Sequence, residues 1–340
     1  MDHRPLGRTG IAVSELTLGA MMLGGAGNPD HDEAVRLVHR ALDAGITTID
    51  TADVYSGGES EEIVGRALAG GRRDGVVLAT KVGLPFDADP NHRGGSRRWV
   101  VQSVEASLRR LRTDWIDLYQ VHRLDPATDV DETLGALSDL VAQGKVRAVG
   151  ASTVPASEIV EAQWTAERRG RERFRTEQPP YSLLVRGVET DVLPTCLRHG
   201  MGVLTYSPLA GGWLTGRYRT GQDAPASRRA GRFPARYDLS SPTGRRKLEA
   251  ADALADLAAE AGLTLVEMAI AFVLRHPAVS TAIIGPRTLE HLESQLTAAD
   301  VELPEDLLDR IDAVVPPGTT LDPADAMSTS PALTAAARRR

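Results

Sequence analysis

Ionisable side chains close three successive apolar runs of this chain: Asp50 and Tyr55 follow residues 46–49, Lys81 follows 75–80, and His122 follows 115–121. An acid, a phenol, an ammonium and an imidazole brought together suit delivery of a proton to a carbonyl oxygen. A free tyrosine titrates near ~10 and is a poor acid–base catalyst at neutral pH, whereas an adjacent ammonium favours its phenolate and is expected to lower that value. Asp50 would hold Lys81 charged and in place. Asp53 and Ser56, in the same stretch, read as turn and helix-entry residues.

For these groups to meet, the runs that carry them must lie side by side. The β-branched run 46–49 reads as a strand, with Gly45 capping the helix before it and a helix resuming over 59–69. Further strands are expected over 16–20, 75–81, 115–122, 145–150, 174–178, 202–207 and 280–285. Helical spacing predicts helices over 31–44, where Asp30 and Glu33 are placed as a cap and its reciprocal acid, and over 129–143, stopped by Gly144. Ser96 caps another, with Val100, Val104, Leu108 and Leu111 on one face, and Pro155 opens the next. Two more are expected over 247–261 and 264–275, the second opened by a Thr264–Glu267 capping box.

Eight strands alternating with helices predict parallel βαβ units, and eight closes a barrel. A doubly wound sheet would show its glycine fingerprint at the first strand-to-helix turn; the glycine-rich loop 21–29 completes no G-x-G-x-x-G. The expected fold is therefore an α/β (β/α)8 TIM barrel with a short N-terminal β-hairpin over 4–14, extra helices, and long loops at the C-terminal face. The chain has 340 residues, beyond the ~250 of a minimal barrel. Residues 1–315 read as a single barrel domain, and 316–340, without apolar periodicity, as a mostly disordered tail. The long connections 82–95 and 211–246 read as binding elements.

Charge is 39 basic against 46 acidic residues, net −7, which argues against nucleic acid or a polybasic membrane surface as partner. No apolar run approaches the ~18 residues of a membrane span, and the first residues lack a hydrophobic signal core. The single cysteine, Cys196, forms no internal disulfide and reads as a packed thiol. The expectation is a soluble, cytoplasmic protein.

From the hairpin through the eighth strand the chain resembles the aldo-keto reductase family. The motifs that carry the likeness are D-T-A-x-x-Y at Asp50 to Tyr55, A-T-K ending at Lys81, Q-V-H-R at Gln120 to Arg123, and I-I-G-P-R-T-L-E at Ile283 to Glu290. The resemblance implies an oxidoreductase that reduces a small-molecule aldehyde or ketone to an alcohol with hydride from NADPH, as a monomer or small homo-oligomer. It makes Asp50, Tyr55, Lys81 and His122 the catalytic tetrad, Tyr55 being the general acid and His122 orienting the carbonyl. NADPH would lie extended across the barrel mouth, its carboxamide on Ser152 and Gln178 and its ring against Tyr206. Ser207, Leu209, Gly211, Leu214 and Gly216 would belt the pyrophosphate; Gly285 and Arg287 follow the eighth strand, Arg287 pairing with the 2′-phosphate. His291 and Gln295 would face the adenosine end.

Some positions depart from the family's pattern. Thr153 stands where asparagine is usual beside the serine, Ser294 and Gln295 replace an acid and an asparagine, and His291 replaces a glutamine or arginine. Met22, Val54, Leu84, Phe86 and Trp213 are read as lining a mostly apolar substrate pocket, and the arginines between 217 and 246 either attract an acidic substrate or belong to a solvated loop. A metal-dependent barrel hydrolase would also use Asp50, Asp53 and His122, but the remaining histidines lack paired ligand spacing, so no metal is expected. A Schiff-base lyase built on Lys81 is one rival. Another is an NADPH-binding accessory subunit with little turnover, since one branch of the family regulates potassium channels.

Overall fold

The computed structural model describes residues 1–223, 225 and 228–327. Strands β1 (His3–Pro5) and β2 (Ala12–Ser14) form an antiparallel hairpin. The next eight are β3 (Leu16–Gly19), β4 (Thr48–Asp50), β5 (Val77–Val82), β6 (Ile116–Val121), β7 (Val146–Ser152), β8 (Thr176–Gln178), β9 (Gly202–Tyr206) and β10 (Val279–Ile284). They close in chain order into an all-parallel barrel, β10 pairing with both β9 and β3. The expected TIM barrel and its hairpin are thus both present.

Around the barrel run α1 (His31–Asp43), α2 (Glu59–Ala67), α3 (Arg97–Leu111), α4 (Val130–Ala142), α5 (Ala156–Arg169), α6 (Val192–His199), α7 (Arg228–Arg232), α8 (Pro242–Glu260), α9 (Leu265–Arg275), α10 (Leu289–Leu296) and α11 (Glu305–Val314). Local chemistry sets their ends. Thr264 and Glu267 form the full reciprocal capping box of α9. Asp30 caps α1 by accepting from the Asp32 and Glu33 amides, but its own amide donates to Asn28 Oδ1, not to Glu33. Ser96 accepts from the Trp99 amide at the start of α3.

Inside the barrel, Ala79, Leu118, Ala148, Leu204 and Ile283 form an apolar layer that Leu6 and Val13 of the hairpin seal from below. The hairpin therefore plugs the floor and leaves the carboxyl ends of the strands as the open face. The larger apolar layer lies between strands and helices, where Cys196 is fully buried.

The C-terminal segment differs from expectation in its described part. Residues 316–327 pack onto the barrel's flank: the Leu321 amide donates to the Leu184 carbonyl, Thr320 bridges to Val185, and Asp325 is buried against Lys247. An ion pair with a buried lysine, not apolar periodicity, orders this stretch. Residues 328–340 lie outside the described residues. Among the described residues no single helix is long and apolar enough to cross a membrane; α8 and α9 qualify only as a pair, bent by 94°.

Candidate active site

Strand pleat decides what reaches the mouth. Asp50 closes β4 and Lys81 lies one residue from the end of β5, beside Gln120 of β6 in register. His122 directly follows β6, its amide donating to the Val82 carbonyl. Tyr55 opens a tight turn in which Ser56, Gly57 and Gly58 all have positive φ (51°, 67° and 98°), so the two glycines take conformations costly for other residues.

The four side chains converge. Lys81 Nζ donates to Asp50 Oδ2 at 2.6 Å, to the Thr51 carbonyl at 2.8 Å and to the Tyr55 hydroxyl at 3.3 Å. The Tyr55 and His122 rings meet edge to face with centroids 5.9 Å apart. Asp50 Oδ1 accepts from Gln178 Nε2 at 2.9 Å and from Gln120 Nε2 at 3.2 Å, which fixes the carboxylate at both oxygens. Gln120 opens the Q-V-H-R motif but carries no role in the sequence reading, although it faces inward two residues before His122, as strand alternation requires.

Electrostatics separate the roles. Burial alone would depress Lys81, but Asp50 and Tyr55 more than offset it, and the ammonium is held above its ordinary pKa. Burial raises Tyr55, with Lys81 countering only in part, so the expected lowering of this phenol is overturned: desolvation of the phenolate wins. Burial, then Lys81 and Arg123, push His122 well down, leaving a neutral imidazole whose Nδ1 is buried without a partner among the described residues. Asp53 turns away from Lys81. It accepts from Ser103 on α3 and from the Val54 amide, and burial lifts it to about 7.

The expected cofactor residues border the same mouth. Ser152 and Gln178 end β7 and β8, Ser152 donating to the Gln178 carbonyl at 2.9 Å. Tyr206 ends β9, and its hydroxyl lies 3.1 Å from Thr153 Oγ1. Thr153 has φ 56°, a left-handed conformation in which asparagine is enriched and a β-branched residue is strained. Ser207 shares this strain at φ 58°, and Leu209 and Leu214 are joined by a backbone hydrogen bond within the turn that holds Gly211. Side chains at Gly216 and Gly285 would meet nothing, so a ligand can approach the backbone there.

Arg287 is half-buried just before α10, without an ion-pair partner among the described residues; Asn28 holds its backbone carbonyl. Burial, then Arg287, lower the nearby His291, with Arg217 adding to the same effect. Glu290 opposes the two arginines at His291, but neither Arg287 nor Arg217 forms an ion pair among the described residues, which suits an anion. Gln295 is buried and donates to the His291 carbonyl of its own helix, while Ser294 donates to the same oxygen.

The substrate-pocket expectation is corrected at Trp213. Trp213 is fully buried, stacked on Tyr218 at 4.3 Å and Tyr237 at 5.7 Å under the Lys247 ammonium, so it supports the 211–246 connection and lines no open pocket. Phe86 packs against Trp99 and the Arg110 guanidinium of α3. Met22, Val54 and Leu84 are half-buried, Val54 directly preceding Tyr55. Among the described residues no three His, Cys, Asp or Glu side chains are grouped to hold a metal ion.

The sequence model described as "Aldo/keto reductase family" matches residues 15–316. An "Uncharacterized oxidoreductase YrpG" of Bacillus subtilis (strain 168) is 39% identical over 93% of this chain and 96% of its own length. A "Probable voltage-gated potassium channel subunit beta" of Oryza sativa subsp. japonica is 35% identical over 93% and 97%. A "Versiconal hemiacetal acetate reductase" of Aspergillus parasiticus is 34% identical over 90% and 95%. On the family match and these near-full-length relatives, the chain belongs to the aldo/keto reductase family.

Proposed function

We propose that the protein is an NADPH-dependent reductase of aldehydes or ketones, acting in the cytoplasm on a small-molecule carbonyl compound. The observation that carries this reading is the Lys81 ammonium bonded at once to Asp50 and to the Tyr55 hydroxyl, with His122 edge-on to the phenol. A bound reduced nicotinamide supplies the hydride for the carbonyl carbon. Tyr55 gives its proton to the carbonyl oxygen, so carbonyl, NADPH and a proton yield alcohol and NADP⁺. Lys81, kept charged by Asp50, stabilises the phenolate left behind, and neutral His122 donates to the oxygen without competing as an acid.

The cradle residues fit the cofactor. Ser152, Gln178 and Tyr206 would take the nicotinamide end, the glycine-rich run after β9 the pyrophosphate, and Arg287 with His291 the 2′-phosphate. A lyase through Lys81 fits less well, because a nucleophilic lysine needs a depressed pKa and Asp50 raises this one.

Fluorescence titration with NADPH and NADH, followed by NADPH consumption on a panel of aldehydes, ketones and sugars, tests the proposal. The relatives named as channel subunits favour a second reading, a cofactor-binding accessory subunit. Tight NADPH binding with no turnover on any member of the panel would select it.

A further inference from the structure

Arg123, carried in the Q-V-H-R motif without a role, stands directly after His122 at the mouth. Its Nη1 donates to the His122 carbonyl at 2.5 Å and, at the long distance of 3.4 Å, to Ser152 Oγ, and the guanidinium also hydrogen-bonds the Tyr206 hydroxyl. All three acceptors are neutral, the side chain is only half-buried, and no carboxylate forms an ion pair with it among the described residues. Its neighbours leave it that way. Asp50 is already committed to Lys81, and Glu177, the acid whose titration Arg123 influences, is buried on the other face of β8 with Oε1 taken by the Val154 amide. Burial pushes Glu177 up to about 8, so it brings little negative charge at neutral pH.

The mouth therefore carries one cation in excess, next to the point where a carbonyl would meet Tyr55 and His122. Some arginines elsewhere on the open face are paired, Arg219 with Asp252 and Asp256 and Arg236 with Asp325, whereas Arg287 and Arg217 stand away from the tetrad beside His291. From this juxtaposition we infer that Arg123 binds an anionic group of the substrate, making the preferred substrates oxo acids or aldehydes that carry a carboxylate near the reacting carbonyl. The inference rests on the carbonyl-reductase reading and narrows it. A planar guanidinium held only on neutral acceptors can exchange the weaker of those contacts for a two-point contact with a carboxylate. The weak bond to Ser152 is the one released.

The test compares phenylglyoxylate and 4-carboxybenzaldehyde, each against its methyl ester, on the full chain with NADPH, in wild type, Arg123→Gln and Arg123→Lys. Wild type is expected to favour at least one acid over its ester in kcat/KM by tenfold or more. Arg123→Gln should collapse that ratio through KM, and Arg123→Lys should restore part of it. Calorimetry of 4-(hydroxymethyl)benzoate binding to the NADP⁺-loaded protein gives a readout that needs no turnover. Binding that Arg123→Gln abolishes upholds the anion site even if no carbonyl is reduced, in which case the reductase reading alone fails. Turnover with no preference for the acids, or an Arg123→Gln variant that weakens NADPH affinity while keeping the acid-to-ester ratio, overturns the inference and leaves the reductase reading standing.

Discussion

Lys81 Nζ lies 3.3 Å from the Tyr55 hydroxyl, yet the phenol is held above its ordinary pKa because burial outweighs the neighbouring charge. A phenol in this state keeps its proton throughout neutral pH and is available as an acid, the ammonium becoming most valuable once the proton has left. Tyr55→Phe is therefore expected to lower kcat for carbonyl reduction by roughly 10²–10⁴-fold with little change in NADPH affinity. In wild type the reduction rate should stay level through neutral pH and fall only above ~10, as the acid form is lost. Steady-state rates across pH, with a fluorescence titration of the variant, check both; substantial residual activity in Tyr55→Phe would mean another proton donor.

Among the described residues Arg287 forms no ion pair, and its charge, with that of Arg217 and against that of Glu290, is felt by His291. Removing one charge-assisted contact to a phosphate costs about 1.5–3 kcal/mol. Arg287→Ala should accordingly raise the dissociation constant for NADPH by roughly 10–100-fold and that for NADH only slightly. Equal losses for the two dinucleotides would show that the guanidinium does not read the 2′-phosphate.

Thr153 pairs a left-handed backbone with a hydroxyl contact to Tyr206. Such strain costs of order 1–3 kcal/mol in a β-branched residue and is largely relieved by asparagine. Thr153→Asn is expected to stabilise the fold by about 1 kcal/mol, seen as a higher urea midpoint at unchanged slope. A lower midpoint would mean that the Tyr206 contact outweighs the strain.

What was legible in the chain follows from where periodicity and chemistry coincide. Asp50, Lys81 and His122 each close an apolar run, so the strands and the groups they deliver emerged together, and the hairpin and all eight barrel strands stand where expected. Trp213 was misplaced because it lies on an irregular connection, where a large aromatic residue carries no signal of which side it faces. Residues 316–327 were misjudged for a related reason: their anchor is Asp325 against Lys247, a pairing of distant charges that leaves no pattern in either segment. The direction of the Tyr55 shift depended on how deeply the mouth buries it, which composition does not record.

Glu177 provides a test of burial itself. Desolvation lifts it to about 8, against ~4.3 in an unfolded chain. Its folded pKa is raised, so its stabilising effect is whole below the unfolded pKa and is lost progressively as pH rises through the folded one. Between about pH 5.5 and about pH 8.5 the unfolded chain binds fewer protons than the native state, and stability should fall. Glu177→Gln, whose amide oxygen can still accept from Val154, should flatten that fall in urea denaturation at the two pH values. Parallel curves for wild type and variant would show that Glu177 does not titrate in this range.

Lys247 is almost wholly buried, its Nζ bonded to Asp325 Oδ2 at 2.7 Å and to the Arg236 carbonyl at 3.2 Å, and placed 4.7 Å from the centre of the Trp213 ring. Trp213 stacks on Tyr237, whose hydroxyl donates to the Gly211 carbonyl at 2.9 Å, within the run expected to hold the pyrophosphate. Asp325→Ala leaves the ammonium buried without its closest acid, a change that costs about 3–5 kcal/mol when one partner of a buried pair is removed. Replacing both partners, Lys247→Met with Asp325→Leu, should recover part of that stability, because neither buried charge then remains, while the partly exposed Arg236 guanidinium loses its acid and turns to water. If the chain of contacts to Gly211 is what shapes the cofactor run, Asp325→Ala should also weaken NADPH binding, and the double variant should restore it along with the fold. Lost stability with unchanged NADPH affinity would confine the pair to holding the tail.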